Sequence, residues 1–318
     1  MKEQHRERSE RSERQERLVR RPVWRAPFAP ATLATLAALL GLGACATPEP
    51  EGPPAKEFAW ALTQDHQLLR FNAGQPRRIL ERKPVTGLNA GETLLGIDYR
   101  VSRGVLFALS SQGRLLTVNT VSGAVTQVGH PGGNWPLKGQ TYGFDFNPSV
   151  DRIRVVSETG LNMRLNPETG AQVDSNPDVP GVQADPALAY AGNDANAGKP
   201  PQVAAAAYTY NTRDEKLTTN YAIDRALGTL VLQGSLEGRQ PVISPNTGQL
   251  FTVGSLGLGP LSDVSFDISD VNNTALVSAV QQGQNATRLY RLDLATGKAT
   301  LLGTVGNGQA LRGLAIEP

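Results

Sequence analysis

Three aspartates at matching positions of a repeated strand are the first residues in this sequence that suggest chemistry. Asp98, Asp145 and Asp267 each occupy the middle of a short segment in which small, apolar and polar residues alternate. If those strands surround a common axis, the three carboxylates are ligand-binding candidates. They would suit a hard cation such as Ca²⁺ or the paired acids of a glycosidase in a central channel.

A structural role is the alternative interpretation of the same aspartates. A buried carboxylate is costly unless it accepts several hydrogen bonds or pairs with a cation. Arginine is frequent just after Asp145, as Arg152, Arg154 and Arg164. In this interpretation each aspartate has its own arginine or backbone partners and binds no ligand.

A long acidic insertion is the second candidate for metal binding. The segment 174–198 is rich in Asp and Asn, and Asp174, Asp178 and Asp194 supply oxygen ligands of the kind that Ca²⁺ takes. The segment lacks the spacing and the terminal Glu of an EF-hand loop. Because Asp, Asn and Pro also form turns, an ordinary long loop is the alternative.

One tryptophan is a further ligand-binding candidate. Trp135 lies in the Gly- and Pro-rich stretch Pro131–Gly139, which predicts a loop. A loop aromatic can line a ligand surface, or it can cap the core.

Composition excludes several classes of site. The chain has 3 His and 1 Cys, too few for Cys-rich zinc modules or disulfide frameworks, and His66 and His130 both fall in predicted turns. Residues 1–25 hold nine Lys/Arg and five Asp/Glu, so with a total of +2 the remainder is near −2. A nucleic-acid partner is therefore not expected.

The elements that position the aspartates form a repeat. Five segments share the pattern small, apolar, variable, apolar, polar, with starts 47, 64, 58 and 48 residues apart. The copies are Gly96–Arg100, Gly143–Asn147, Ala207–Asn211, Ser265–Ser269 and Gly313–Glu317, and their middle residues are Asp98, Asp145, Thr209, Asp267 and Ala315. Alternation with period two predicts strands, and this spacing is typical of propeller blades.

The fold class predicted is all-β, a single β-propeller of five blades over residues 58–318. Six blades is the alternative if the insertion 174–201 or 234–260 hides another. The pattern near the N-terminal end predicts three strands with none before them, at Phe58–Leu62, Leu68–Phe71 and Arg77–Leu80. The C-terminal end predicts an inner strand with none after it, at Gly313–Glu317. One blade shared by the two ends would close the ring and so leave no unpaired strand edge between the first and last blades.

Five motifs resemble one known family. They are TYGFDFNPSVDRIRVVSETGLNMRLNPETG at 141–170, LLGIDYR at 94–100, RLLTVN at 114–119, NDANAG at 193–198 and YRLDLATG at 290–297. These are similar to the bacterial domain-of-unknown-function 4394 family. The resemblance spans about 58–318 and implies a propeller-like fold in a secreted or surface setting. It implies no activity and no functional residues.

The N-terminus predicts export and a lipid anchor. Residues 1–44 read as a signal segment, in which the apolar run Ala31–Gly43 is too short to span a bilayer. Leu42-Gly43-Ala44-Cys45 resembles the bacterial lipobox, which implies that Cys45 is acylated and becomes the new N-terminus. Ala46 rather than Asp then implies outer-membrane sorting, and 45–57 is a Pro-rich tether.

Two functions are expected from these patterns. The first is a lipid-anchored envelope propeller that acts as a binding or scaffolding module for an unknown protein or glycan ligand, without catalysis and without a cofactor unless Ca²⁺ binds. The second is a carboxylate-dependent hydrolase, such as a Ca²⁺-assisted glycosidase, with its site in the central channel. Propellers host both functions, so the fold alone does not separate them.

Overall fold

The computed structural model describes residues 51–129, 135 and 137–318, and their architecture is all-β. Its strands form five sheets, which lie in the compact unit Pro48–Pro318 as the blades of a single β-propeller. Within the described ranges the helices are two short 3₁₀ turns, Val101–Arg103 and Pro245–Thr247. None of the helices described there has the length and apolar character needed to span a membrane.

Blade I is built from both ends of the propeller. Its strands are β20 (Leu311–Ile316), β1 (Phe58–Thr63), β2 (Gln67–Asn72) and β3 (Ile79–Pro84), in that order. β20 pairs antiparallel with β1, with Ala59 opposite Ile316 and Ala61 opposite Leu314. The terminal strands therefore close the ring, as the complementary ends predicted.

Blades II and V are regular four-stranded meanders in chain order. Blade II comprises β4 (Leu94–Arg100), β5 (Val105–Ser110), β6 (Leu115–Val118) and β7 (Val125–Gln127). Blade V comprises β16 (Leu261–Ile268), β17 (Ala275–Gln281), β18 (Arg288–Leu292) and β19 (Ala299–Thr304). Short turns join their strands, because antiparallel neighbours need only a hairpin connection.

Blades III and IV depart from that plan. Blade III has three strands, β8 (Tyr142–Asn147), β9 (Arg152–Ser157) and β10 (Asn162–Leu165). Blade IV has five: β11 (Ala189–Tyr190), β12 (Val203–Tyr208), β13 (Asn220–Asp224), β14 (Thr229–Gln233) and β15 (Gln249–Ser255). The insertions at 174–201 and 234–260 thus add strands to blade IV and do not make a sixth blade.

The five inner strands contact one another in a closed sequence, β20 to β4, β4 to β8, β8 to β12, β12 to β16 and β16 to β20. Apolar clusters fill the space between adjacent blades. Trp60 and Leu62 of blade I, for example, pack with Ile97 and Leu106 of blade II. Because these clusters cover both faces of each blade near the centre, the inner strands are buried almost throughout, and the packing holds them in place around the centre.

Candidate functional site

The three aspartates at the matching positions converge where the inner strands meet. We call Asp98, Asp145 and Asp267 the central aspartate trio. One ligand oxygen from each lies within 4.8 Å of those from the other two, and no other His, Cys, Asp or Glu trio among the described residues is gathered in this way. The three residues are only 4–6% exposed. Three acidic groups are therefore held close together, largely out of contact with bulk water.

Each carboxylate of the trio accepts a backbone hydrogen bond from the next inner strand. Phe146 N donates to Asp98 Oδ2 at 2.7 Å, and Tyr208 N donates to Asp145 Oδ1 at 2.9 Å. Ile316 N donates to Asp267 Oδ2 at 2.5 Å. Every such bond joins one blade to its neighbour.

Two carboxylates of the trio also accept a backbone hydrogen bond from the next residue of their own strand. Tyr99 N donates to Asp98 Oδ1 at 2.7 Å, and Ile268 N donates to Asp267 Oδ1 at 2.6 Å. Backbone amides favour the charged form of a carboxylate, so the donors are of the kind that a structural role requires.

Small residues allow the inner strands to come this close. A Cβ atom added at Gly143 would lie 2.6 Å from Ala206 N, and one at Gly96 would lie 2.9 Å from Phe144 Cβ. A Cβ at Gly313 would lie 2.9 Å from Ile97 N. Glycine is therefore needed at the start of these three repeats, because a neighbouring inner strand occupies the space of a side chain there.

The hydrogen-bond pattern corrects the alignment of the third repeat. In the predicted register Tyr208 precedes the middle residue of its copy, whereas Phe146 follows the middle residue Asp145. The N–H of Tyr208 nevertheless donates to Asp145 just as the N–H of Phe146 donates to Asp98. The residue equivalent to Asp98 is therefore Ala207 and not Thr209, which follows β12. The prediction was wrong by two residues because alternation with period two looks the same after a shift of two.

Burial sets the protonation of the trio. Desolvation raises the pKa of Asp98 well above its usual value, and repulsion from Asp267 raises it further. The pKa of Asp145 is also well raised, by desolvation and then by Asp98 and Asp267. Desolvation raises the pKa of Asp267 to about 7 against the lowering effect of its backbone donors. The trio thus retains protons at a pH where ordinary carboxyl groups have lost them.

Arg154 forms a second buried charged cluster, between blades III and IV. Its Nη1 donates to Asp185 Oδ2 at 2.6 Å and to Asn162 Oδ1 at 2.7 Å. Its Nε donates to Tyr208 Oη at 3.2 Å, and its Nη2 to Asn246 Oδ1 at 2.5 Å. The guanidinium is thereby held by side chains from both blades.

The arginines predicted as partners of Asp145 bond elsewhere. Arg154 and Arg164 both pair with Asp185, and Arg152 donates to the carbonyl oxygens of Val150 and Asp151. Arginine pairing of the trio is therefore wrong for these three residues, whereas backbone partners are present for each aspartate.

Comparison with known proteins places the chain in a family. The sequence profile of the family described as "Domain of unknown function (DUF4394)" matches residues 67–315. The chain belongs to this family. The profile covers strands of all five blades, including every member of the central trio, and its description assigns no activity.

A solved structure gives a more distant likeness to this DUF4394 member. It is a structural genomics protein of unknown function from Bacteroides thetaiotaomicron VPI-5482, with 14% identity and a TM-score of 0.44. The match covers 83% of this chain but only 66% of that one, so the chain spans slightly less than two thirds of its length. No curated protein matches the chain.

The acidic insertion of this DUF4394 chain forms turns. Asp174 Oδ1 accepts from the N–H of Asn176 and Gln183, and Asp194 accepts from Thr252 and Asn196. Asp178 donates its N–H to Asn176. Asp174, Asp178 and Asp194 are not brought together as a trio within the described residues. Each takes part in a contact two residues along the chain of the kind found in Asx turns, and Asp194 also binds the more distant Thr252.

The tryptophan candidate lies in the core. Trp135 is buried and packs in the cluster that contains Tyr142, Phe144 and Phe107. Of the two alternatives for this loop aromatic, the geometry supports the cap on the core. Cys45, the predicted lipidation site, lies outside the described residues.

Two site residues escaped sequence reasoning. Asp185 was only one acid among many in the insertion, and Tyr210 lies within the misaligned copy of the repeat, at a position where an apolar residue was expected. Burial raises the pKa of the Tyr210 hydroxyl, as do the nearby charges of the central trio. The signal available for the Arg154 cluster was an arginine in the second strand of a repeat whose other copies are apolar there.

Proposed function

We propose that this DUF4394 protein is a non-catalytic binding or scaffolding module, held at the bacterial envelope by lipid on Cys45. The observation that supports this most is the engagement of the central aspartate trio. Its carboxylates accept N–H bonds from neighbouring inner strands, so they connect blades. The loops and the clefts between blades then remain for a protein or glycan ligand, as is usual for a rigid scaffold.

Anchoring is proposed from the lipobox-like motif that ends at Cys45, the one cysteine of the chain. Several acyl chains give stable membrane attachment, whereas a single chain is marginal. The outer membrane or cell surface is the proposed location because Ala46 follows the cysteine.

Metabolic labelling in a Gram-negative host tests the anchor. The full chain should incorporate a palmitate analogue and fractionate with the outer membrane. Cys45→Ser should lose the label and leave the membrane fraction, whereas Ala46→Asp should keep the label and move to the inner membrane. Equal labelling of the wild-type chain and Cys45→Ser would contradict lipidation.

A carboxylate-dependent hydrolase is the second candidate, because the trio gathers within 4.8 Å. A retaining glycosidase places its two carboxyl groups about 5–5.5 Å apart, close to that value. Substrate must nevertheless reach both groups, and the trio is only 4–6% exposed. We therefore expect no turnover of chromogenic glycosides with or without Ca²⁺. Turnover that is lost in Asp98→Asn, Asp145→Asn and Asp267→Asn would overturn the non-catalytic proposal.

A further inference from the structure

A cavity of about 400 Å³ opens between blades III and IV, beside the Arg154 cluster. Its volume lies in the range of small-molecule sites, about 300–1,000 Å³. Three arginines, Arg152, Arg154 and Arg164, contribute to its lining, and none of its described lining residues is acidic. The cavity is distinct from the central trio, which it does not include.

The three arginines point to one side of blade III because of the strand register. Arg154 lies opposite Arg164 of β10 and opposite Asp145 of β8, and direct cross-strand partners share a face of the sheet. Arg152 is two residues from Arg154 on β9 and shares that face as well. Three guanidinium groups are thus directed toward blade IV.

The charge on this face is only partly compensated. Among the described residues, Asp185 is the one carboxylate that forms ion pairs with any of these three arginines, and it accepts from both Arg154 and Arg164. No carboxylate among the described residues lies within ion-pair distance of Arg152, and the oxygens of its neighbour Asp151 accept from Arg100. An anion is the missing partner that such a cavity would attract.

This arrangement is specific to one blade. The residues that face the position of Asp98 from the neighbouring strand are apolar or aromatic in the other four blades. They are Trp60 opposite Ala315, Phe107 opposite Asp98, Tyr221 opposite Ala207 and Leu276 opposite Asp267. The ring closes without a charge at four of these positions, so the arginine of blade III is not a requirement of the fold.

We propose that this cavity binds an anionic sugar through its carboxylate or phosphate group. Guanidinium groups bind both acids in a bidentate manner. Asn147, Ser244 and Asn246 offer amide and hydroxyl partners for sugar hydroxyls, and Val150, Val173 and Pro245 offer an apolar wall. The inference rests on the proposed function, since it names a ligand class for the binding module.

Calorimetric titration of the full chain in detergent tests the site, with D-glucuronate, glucose 6-phosphate, neutral glucose and inorganic phosphate as probes. We expect at least one acidic sugar to saturate a single site with a Kd near or below about 1 mM, which is a modest affinity. Glucuronate alone would identify a carboxylate ligand, and glucose 6-phosphate alone a phosphate ligand. Arg152→Gln should raise the Kd for the acidic sugar at least about tenfold, because a hydrogen bond from a charged donor is lost.

A matched variant separates the site from general charge. Arg77→Gln removes the same charge from an exposed position of blade I and should leave binding unchanged. Arg152→Lys should restore part of the affinity, and the melting temperature without probe should be the same in Arg152→Gln and the wild-type chain. The proposal is overturned if neither acidic sugar saturates the protein, if glucose or inorganic phosphate binds as tightly, or if Arg77→Gln weakens binding equally. Loss of the sugar site would leave the labelling result for Cys45 unaffected, so the two failures are distinguishable.

Discussion

The two buried charged clusters of this propeller, the central aspartate trio and the Arg154 cluster, accommodate charge by different means. The trio gathers three acidic groups that accept backbone N–H bonds and retain protons because their pKa values are raised. Arg154 pairs with an opposite charge, Asp185, and with side chains of two blades. The trio occurs at a repeated position, whereas the other blades have no charge where blade III has Arg154. We infer that charge repeated around the ring belongs to the architecture, and charge confined to one blade marks a specialised region.

Removing the strand that closes the ring should have the largest effect. Deletion of 311–318 takes away β20, bares the edge of β1 and removes Ile316 N from Asp267. The shortened chain should aggregate or lose cooperative unfolding, measured by circular dichroism and size exclusion. Glu317→Gln, which weakens only the ion pair with Arg70, is the control. A deletion variant that melts like the full chain would contradict ring closure.

Breaking the opposite-charge cluster should have the next largest effect. Arg154→Leu removes the buried cation that Asp185 shares with Asn162 and Asn246 and leaves Asp185 paired with the partly exposed Arg164 alone. We expect a cost of about 3 kcal/mol in the free energy of unfolding, the lower end for a broken buried pair, because one ion pair remains. The double variant Arg154→Leu, Asp185→Leu should recover part of that loss, because it removes both buried charges. Urea unfolding measures both. If the double variant has a lower free energy of unfolding than Arg154→Leu, loss of the ion pair is not the cause of the destabilisation.

The trio should make stability fall as the pH rises. Its raised pKa values mean that the folded state binds more protons than the unfolded state between about 4, the unfolded value, and about 7 for Asp267. The stabilisation is complete below about 4 and decreases by about 1.4 kcal/mol per pH unit for each extra proton held. Asp267→Asn should flatten this slope in urea unfolding measured from pH 4 to 7.

A carboxylate with the opposite shift provides the control for that slope. Desolvation opposes ionisation of Asp194, but hydrogen bonds from Thr252 and Asn196 outweigh it and lower its pKa. Its stabilisation is present above the unfolded pKa and is lost as the pH falls. Asp194→Asn should therefore leave the slope above pH 5 unchanged. A wild-type stability that rises steadily over this range would contradict raised pKa values in the trio.

Much of the fold was predictable because strand alternation and blade spacing are visible along the sequence, and because the three strands at one end lack the inner strand that the other end supplies. The register of β12 was not, since the alanine-rich run fits the repeat in two ways. The third strand was predicted at Arg77–Leu80 and lies at Ile79–Pro84. This outer strand alternates between exposed and half-buried residues. Charged residues therefore continue the strand beyond Leu80, where the apolar pattern in the sequence ends.

The candidate site was predictable only in part. Equivalence of Asp98, Asp145 and Asp267 was enough to place them around one axis. Their donors are backbone N–H groups, which every residue except proline has, so no residue type marks them. The pairing of Arg154 with Asp185 joins residues 31 apart, through a loop whose path has no periodic pattern.

Melting temperature with and without calcium tests most directly whether the trio acts as a connection between blades or as a cation site. The full chain and the variants Asp98→Asn, Asp145→Asn and Asp267→Asn would be compared at pH 7 with chelator and with excess Ca²⁺. Asp145 accepts one backbone N–H, which an asparagine oxygen still accepts while the desolvated charge disappears, so Asp145→Asn should melt at or above the wild-type temperature. Both oxygens of Asp98 and of Asp267 accept a backbone N–H, so their asparagine variants leave one donor facing an NH₂ group and should melt lower. We expect none of the three variants, nor the wild-type chain, to respond to Ca²⁺. The matching alanine variants should lose about 1–3 kcal/mol through an unsatisfied N–H. A wild-type melting temperature that Ca²⁺ raises, with the rise absent from the asparagine variants, would contradict the account.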